Sequence, residues 1–224
     1  MGTATKYSAI NLLPELGLDA VKWNRAPSEE EIEATRGAVE KNANIRVLRV
    51  DDGGQALQHI KDLIPPGAEV MNGSSTTLIE IGFVDFLSHG DHHWNDLHKA
   101  ITSQEDKAKR DEIRRKSVTS EYFLSGVNAI AKTGELVACD ATGSRVGAWP
   151  IAAGKLILVA GTNKIVPTLG EALQRVREYC YPLEDARSKK VSGVPSQIGK
   201  CVILANERQA GRVTLILIND TLGY

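Results

Sequence analysis

The chain has 224 residues, enough for one large domain with its own core, and 27 basic against 28 acidic residues leave a formal net charge of −1. That balance carries no electrostatic footprint for nucleic acid or an anionic membrane surface, so a small molecule is the expected partner. Cys139, Cys180 and Cys201 stand far apart and outside any C-x-x-C spacing, which points away from a disulfide framework or zinc and towards a reducing, cytoplasmic setting. No apolar run approaches the ~20 residues of a membrane-spanning helix.

Residues 1–26 have weak periodicity, with Pro14, Gly17 and the following Pro27, and read as an N-terminal arm that packs on the body or on another subunit. The domain proper is expected over 27–224. Ser28-Glu29-Glu30-Glu31 is a capping box, and Ile32, Ala34, Ala38 and Val39 then line one helical face to about Asn42. A β-rich run at 45–50 follows, then a turn at Asp51-Asp52-Gly53-Gly54. Ala56, Leu57, Ile60, Leu63 and Ile64 next take helical spacing, which Pro65-Pro66-Gly67 ends.

The next strand, 68–71, runs into Gly73-Ser74-Ser75-Thr76-Thr77 and a helix to about Leu87. Small hydroxyl residues at a strand-to-helix junction cap the helix, and the unpaired N–H groups of a first turn suit an anion. Four of the five histidines fall in residues 89–98, but no pair has a familiar ligand spacing, so the segment reads as a solvated polar loop and no metal is expected. Residues 104–119 read as a solvent-facing helix, with Glu105 and Lys109, and Asp111 and Arg115, at pairing distance.

The stretches 127–131 and 135–139 flank Lys132-Thr133-Gly134 as a hairpin, which makes the sheet mixed. After the turn Asp140-Ala141-Thr142-Gly143-Ser144-Arg145 come a buried strand at 156–160, the junction Gly161-Thr162-Asn163-Lys164 and an amphipathic helix at 169–181. A loop at 188–199 and a last strand at 213–218 complete the reading. Strands alternating with helices predict an α/β fold with a mixed, mostly parallel, Rossmann-like sheet flanked by helices, and ligands in such sheets lie beyond the strand carboxyl ends.

Three strand ends carry Gly with Ser, Thr or Asn, and two add a cation. One anionic pocket explains all three: Gly73, Ser74, Ser75, Thr76 and Thr77 with their N–H groups hold the anion, and Arg145 and Lys164 neutralise it. Asn128 and Asn163 then orient it, with Gly143, Ser144 and Gly161 in the turns. Each junction taken singly also has a turn or cap explanation. Glu80, Glu121 and Asp140 are the carboxylates near these junctions and the candidate bases or nucleophiles. Neither G-x-G-x-x-G nor G-K-[ST] is present, so no nucleotide cofactor is expected.

From about Ala38 to Tyr224 the motifs together resemble the lactate-utilisation (LUD) domain family. The matching elements are Ile64-Pro65-Pro66-Gly67-Ala68-Glu69-Val70, the Gly73 to Gly82 segment, Gly126-Val127-Asn128-Ala129-Ile130, Thr142-Gly143-Ser144-Arg145-Val146, Ala160-Gly161-Thr162-Asn163-Lys164-Ile165-Val166 and Leu222-Gly223-Tyr224. The resemblance implies the fold of glucosamine-6-phosphate deaminase, ribose-5-phosphate isomerase and coenzyme A transferases, a small anionic metabolite, and a link to lactate oxidation beside iron–sulphur subunits. It leaves open a transferase or isomerase acting on coenzyme A thioesters or sugar phosphates, and a non-catalytic subunit. The partners it implies are a second copy of the chain or a redox protein. Where many relatives carry a cysteine-rich segment, only Cys201 is present here, and one thiolate cannot supply the about four ligands of an iron–sulphur cluster. A weaker likeness, to sugar-phosphate isomerases, places Asn128 where they carry a catalytic aspartate.

Overall fold

The computed structural model describes residues 13–224. Helices α1 (Leu13–Leu16), α2 (Ala20–Trp23) and α3 (Glu29–Asn42) precede strand β1 (Arg46–Val50), helix α4 (Gly53–Leu63) and strand β2 (Glu69–Asn72). Then come α5 (Thr76–Glu80), α6 (Phe83–His89), β3 (Asn95–Asp96), α7 (Leu97–Thr102) and α8 (Lys107–Lys116). The second half holds β4 (Tyr122–Gly126), β5 (Ala129–Ala131), β6 (Leu136–Asp140), β7 (Lys155–Gly161) and β8 (Ile165–Val166). It ends with α9 (Leu169–Arg175), α10 (Tyr181–Ser192), β9 (Lys200–Leu204) and β10 (Val213–Ile218).

Parallel pairing throughout organises the larger sheet, in the order β1-β10-β7-β4-β2-β3. Its central strands are apolar on both faces: Leu156, Leu158, Leu215 and Leu217 join one core cluster, while Ile157, Val159, Ile216 and Ile218 join another. Burial on both faces is why β7 and β10 read as continuous apolar runs. The hairpin predicted at 127–139 forms, but in a sheet of its own, β8-β5-β6-β9, packed over the first face through Ile130, Leu136 and Ile165. The antiparallel pairs therefore belong to this smaller sheet, and the larger one is wholly parallel.

The capping box is present on α3, with Ser28 Oγ accepting from Glu31 N–H and the Glu31 carboxylate accepting from Ser28 N–H. Thr35, rather than Ala34, completes the buried face with Ile32 and Val39. The hairpin turn packs on this helix. Gly134 has φ +111°, and a Cβ there would lie 2.7 Å from the carbonyl oxygen of Ala38. Gly134→Ala is accordingly expected to lower stability by about 1–2 kcal/mol, read as a fall in the urea midpoint at constant slope.

Three expectations change in detail. The helix expected from residue 76 to 87 is broken by left-handed Gly82 into α5 and α6. Asp111 pairs with Lys107 and Arg114 rather than Arg115, the three- and four-residue neighbours that share its helix face being interchangeable partners. The helix expected to stop at Tyr181 continues to Ser192. Pro182 has no N–H to return to the preceding turn, and a π-helical turn, Val176–Cys180, comes just before it.

The histidine-rich segment is ordered by apolar contacts. His92 stacks on Trp94, takes its N–H on Nδ1 and bonds Leu87 O through Nε2, while His89 and His93 lie beside Asp85 and Asp91 at the surface. Among the described residues no helix is long and apolar enough to cross a membrane, and no three His, Cys, Asp or Glu residues are grouped to hold a metal ion. Of the expected arm, residues 1–12 lie outside the described residues. Trp23 is buried, and its carbonyl accepts from Arg175 Nε at 2.9 Å, so this part of the arm packs on the body.

Candidate functional site

Because β2, β4 and β7 run parallel, their carboxyl ends reach one edge together, and the segments that leave them meet there in a cleft of about 230 Å³. Ser74, Ser75 and Thr76 come from the end of β2, Val127 and Asn128 from the end of β4, and Lys164 from the turn after β7. The turn after β6 adds Asp140, Ser144 and Arg145 from the smaller sheet, and α10 closes the cleft with Tyr181, Glu184 and Arg187. Three cations, Arg145, Lys164 and Arg187, thus face two carboxylates, Asp140 and Glu184.

Among the described residues the Arg145 guanidinium is held without a carboxylate. It donates to Gly126 O at 3.0 Å, to Asn128 Oδ1 at 3.0 Å and to Cys139 O, while its stem crosses Gly73 so closely that a Cβ there would lie 2.5 Å from Cγ. Asn128 Oδ1 also accepts from Cys139 N–H at 2.9 Å. With the oxygen fixed twice, the Asn128 amide nitrogen is left as an oriented donor in the cleft wall. Arg187 is paired bidentately with Glu184, at 2.7 and 2.8 Å, and Glu184 also accepts from Tyr224 Oη. Burial and the adjacent Glu184 charge push the Tyr224 phenol well above its ordinary range, so it stays a donor.

Lys164 is 2% exposed, and its Nζ donates to Thr77 Oγ1 at 2.8 Å. Burial first, and then the charge of Arg175, pull its ammonium down to about 7. Arg175 lies behind the cleft with no exposure, bonded to Trp23 O, Asn128 O and Cys180 Sγ, and its Nη2 has no partner among the described residues. Cys139, also in the wall, has its thiol pushed up to about 12, chiefly by burial. It is a poor nucleophile at neutral pH.

The family model of the LUD domain matches residues 32–218. The chain belongs to the LUD domain family. Its fold is similar to that of a DUF162 family protein from Deinococcus radiodurans known from a crystal structure, with a TM-score of 0.50 at 13% identity over 86% of this chain and 100% of that one. No curated protein matches the chain.

Within this LUD domain, Ser74, Ser75, Thr76, Asn128, Asp140, Ser144, Arg145 and Lys164 line the cleft, and the other sequence candidates do not. Thr77 is fully buried behind it and holds Lys164. Gly73 makes room for the Arg145 stem, Gly143 faces the Lys200 side chain and Gly161 abuts Asn163 and the backbone at Asp220. Asn163 is spent on structure, donating to Asn24 Oδ1 at 2.7 Å and accepting from Leu222 N–H at 3.2 Å, so it orients the C-terminal segment instead of a ligand.

The candidate carboxylates are corrected as well. Glu121 precedes the first residue of β4, at the amino edge of the sheet, where it accepts from Glu69 N–H at 2.8 Å. It sits at the opposite end of the strands from the cleft. Glu80 is exposed outside the cleft and accepts from Gly223 N–H at 2.7 Å. Asp140 lies in the wall, but both oxygens serve its own turn, taking Arg145 N–H at 2.7 Å and Thr142 N–H at 2.9 Å. Burial works against its charge, yet the backbone N–H groups of Arg145, Thr142 and Gly143 outweigh it and lower the carboxyl, which suits a fixed anion better than a proton carrier.

Reading by residue type missed Glu184, Arg187 and Tyr224. The signal was present, since Glu184 and Arg187 are three apart and would share one face of a helix continued past Pro182.

Proposed function

We propose that this LUD domain binds a small carboxylated or phosphorylated metabolite over the ends of β2, β4 and β7. The observation that carries this reading is the arrangement of Arg145 and Lys164 in one cleft with, among the described residues, only carbonyl, amide and hydroxyl partners. Neither is taken up by an ion pair among the described residues, so both can meet an incoming anion, in surroundings drier than bulk water where a charge-assisted bond gains strength. The Ser74 and Thr76 hydroxyls and the Asn128 amide add neutral donors. At about 230 Å³ the cleft suits a small acid or sugar phosphate better than a whole coenzyme A or nucleotide. Family membership puts lactate and pyruvate first among the acids.

Thermal unfolding with lactate, pyruvate, sugar phosphates and coenzyme A tests the reading. A ligand at 100 times its Kd adds about 2.7 kcal/mol, which for a domain of this size raises the midpoint by roughly 5–10 °C. A rise confined to one chemical class identifies the ligand class. Equal midpoints with all of them would remove the cleft as an anion site.

A further inference from the structure

The anion-binding reading uses Lys164 only as a charge, and its surroundings are wrong for a charge alone. Among the described residues Nζ makes its hydrogen bond to the neutral hydroxyl of Thr77, and Glu80, the carboxylate whose charge reaches it, forms no ion pair with it. A buried ammonium held for structure is expected to be paired, because leaving water costs several kcal/mol that only a close counter-charge returns. An amine, by contrast, fits the site. It can donate one N–H to Thr77 Oγ1 and keep a lone pair for a molecule in the cleft that Lys164 lines.

We propose that Lys164 is a nucleophile that forms an imine with the carbonyl carbon of a small anionic aldehyde, ketone or 2-oxo acid bound in the cleft, an inference that rests on the anion-binding reading above. The Nζ lone pair attacks the carbonyl carbon and the C=O π electrons move to oxygen. A proton passes from nitrogen to that oxygen, and loss of water leaves the C=N bond. The balance is amine plus carbonyl giving imine plus water, with no oxidant or reductant. Arg145 and the Asn128 amide hold the carboxylate or phosphate of the same molecule. The low proton affinity described above gives Lys164 a large neutral fraction near pH 7, where an exposed lysine is almost wholly protonated.

The full chain is incubated separately with pyruvate, glyoxylate and dihydroxyacetone phosphate in the presence of cyanoborohydride, which reduces imines to stable secondary amines, and labelled peptides are mapped by mass. Lys164 is expected to label on the order of 100-fold faster than the exposed lysines at pH 7. The label should vanish in Lys164→Arg and Lys164→Met, and lactate or glycerol phosphate, which lack a carbonyl, should slow it. Labelling by the oxo acids alone assigns the carboxylate class, and labelling by the ketose phosphate alone assigns the phosphate class. Labelling of Lys164 no faster than of exposed lysines, while lactate or glycerol phosphate still raises the unfolding midpoint, overturns the imine and leaves the anion site standing. Neither labelling nor a midpoint shift overturns both.

Discussion

Arg145→Ala is expected to destabilise the protein by about 2–4 kcal/mol and to abolish any midpoint shift produced by a small anion. Both effects come from one side chain. The guanidinium ties Gly126 O, at the end of β4, to Cys139 O in β6 and to Asn128 Oδ1 between them, so it fastens the smaller sheet to the edge of the larger one. Truncation removes three charge-assisted hydrogen bonds, each worth roughly 1.5–3 kcal/mol, but Asn128 Oδ1 keeps its bond from Cys139 N–H, Gly126 O keeps its bond from Ser125 Oγ, and water entering from the open cleft recovers part of the rest. Arg145→Lys should fall between wild type and Ala, because an ammonium lacks the planar fork that meets three acceptors at once. Urea titration gives the stability term, and the ligand-induced shift measured on the still-folded variant gives the binding term. Stability within about 0.5 kcal/mol of wild type would mean that the fork organises nothing. An unchanged ligand shift would remove Arg145 from the site.

The fold was legible because its signals are local and repeated. The capping box at Ser28, the apolar runs of β7 and β10 and the turn at Gly134 each depend on neighbours a few residues away. Parallel strands then convert local signals into a site, since every segment leaving a strand arrives at the same edge. That rule also shows why Glu121 was misplaced: it enters β4, and residues that enter a strand lie at the other edge. Asn163 and Thr77 suit an anion site by residue type. Type cannot say whether an amide faces the cleft or, as with Asn163, the segment at Leu222 and Gly223. The wall built by Glu184, Arg187 and Tyr224 depends on α10 continuing beyond Pro182 and on the last residues packing beside it, contacts 40 positions apart for the Tyr224 and Glu184 pair. The Glu184 and Arg187 spacing lies within one window of sequence, but the contact with Tyr224 does not.

Lys164→Met is expected to change how stability depends on pH. The folded-state value of about 7 lies below the 10.5 of the free side chain. Below pH 7 both states hold the proton, so the full penalty of burying the ammonium is present. Between pH 7 and 10 the unfolded chain binds more protons than the folded one, and stability rises with pH by up to about 1.4 kcal/mol per unit. The raised thiol of Cys139 and the raised phenols of Tyr179 and Tyr224 act in the opposite direction towards alkaline pH, so the difference between wild type and variant is the quantity to follow. After allowing for the lost bond to Thr77, the variant should be ~1–3 kcal/mol more stable at pH 6, with its advantage shrinking through zero towards pH 10. A difference that stays flat from pH 6 to 10 would show that Lys164 keeps its proton when folded. The same linkage gives the site a second readout. An anion bound beside Lys164 favours the ammonium, so binding near pH 8 should take up protons, and the heat of binding should vary with the ionisation enthalpy of the buffer in wild type but not in Lys164→Met.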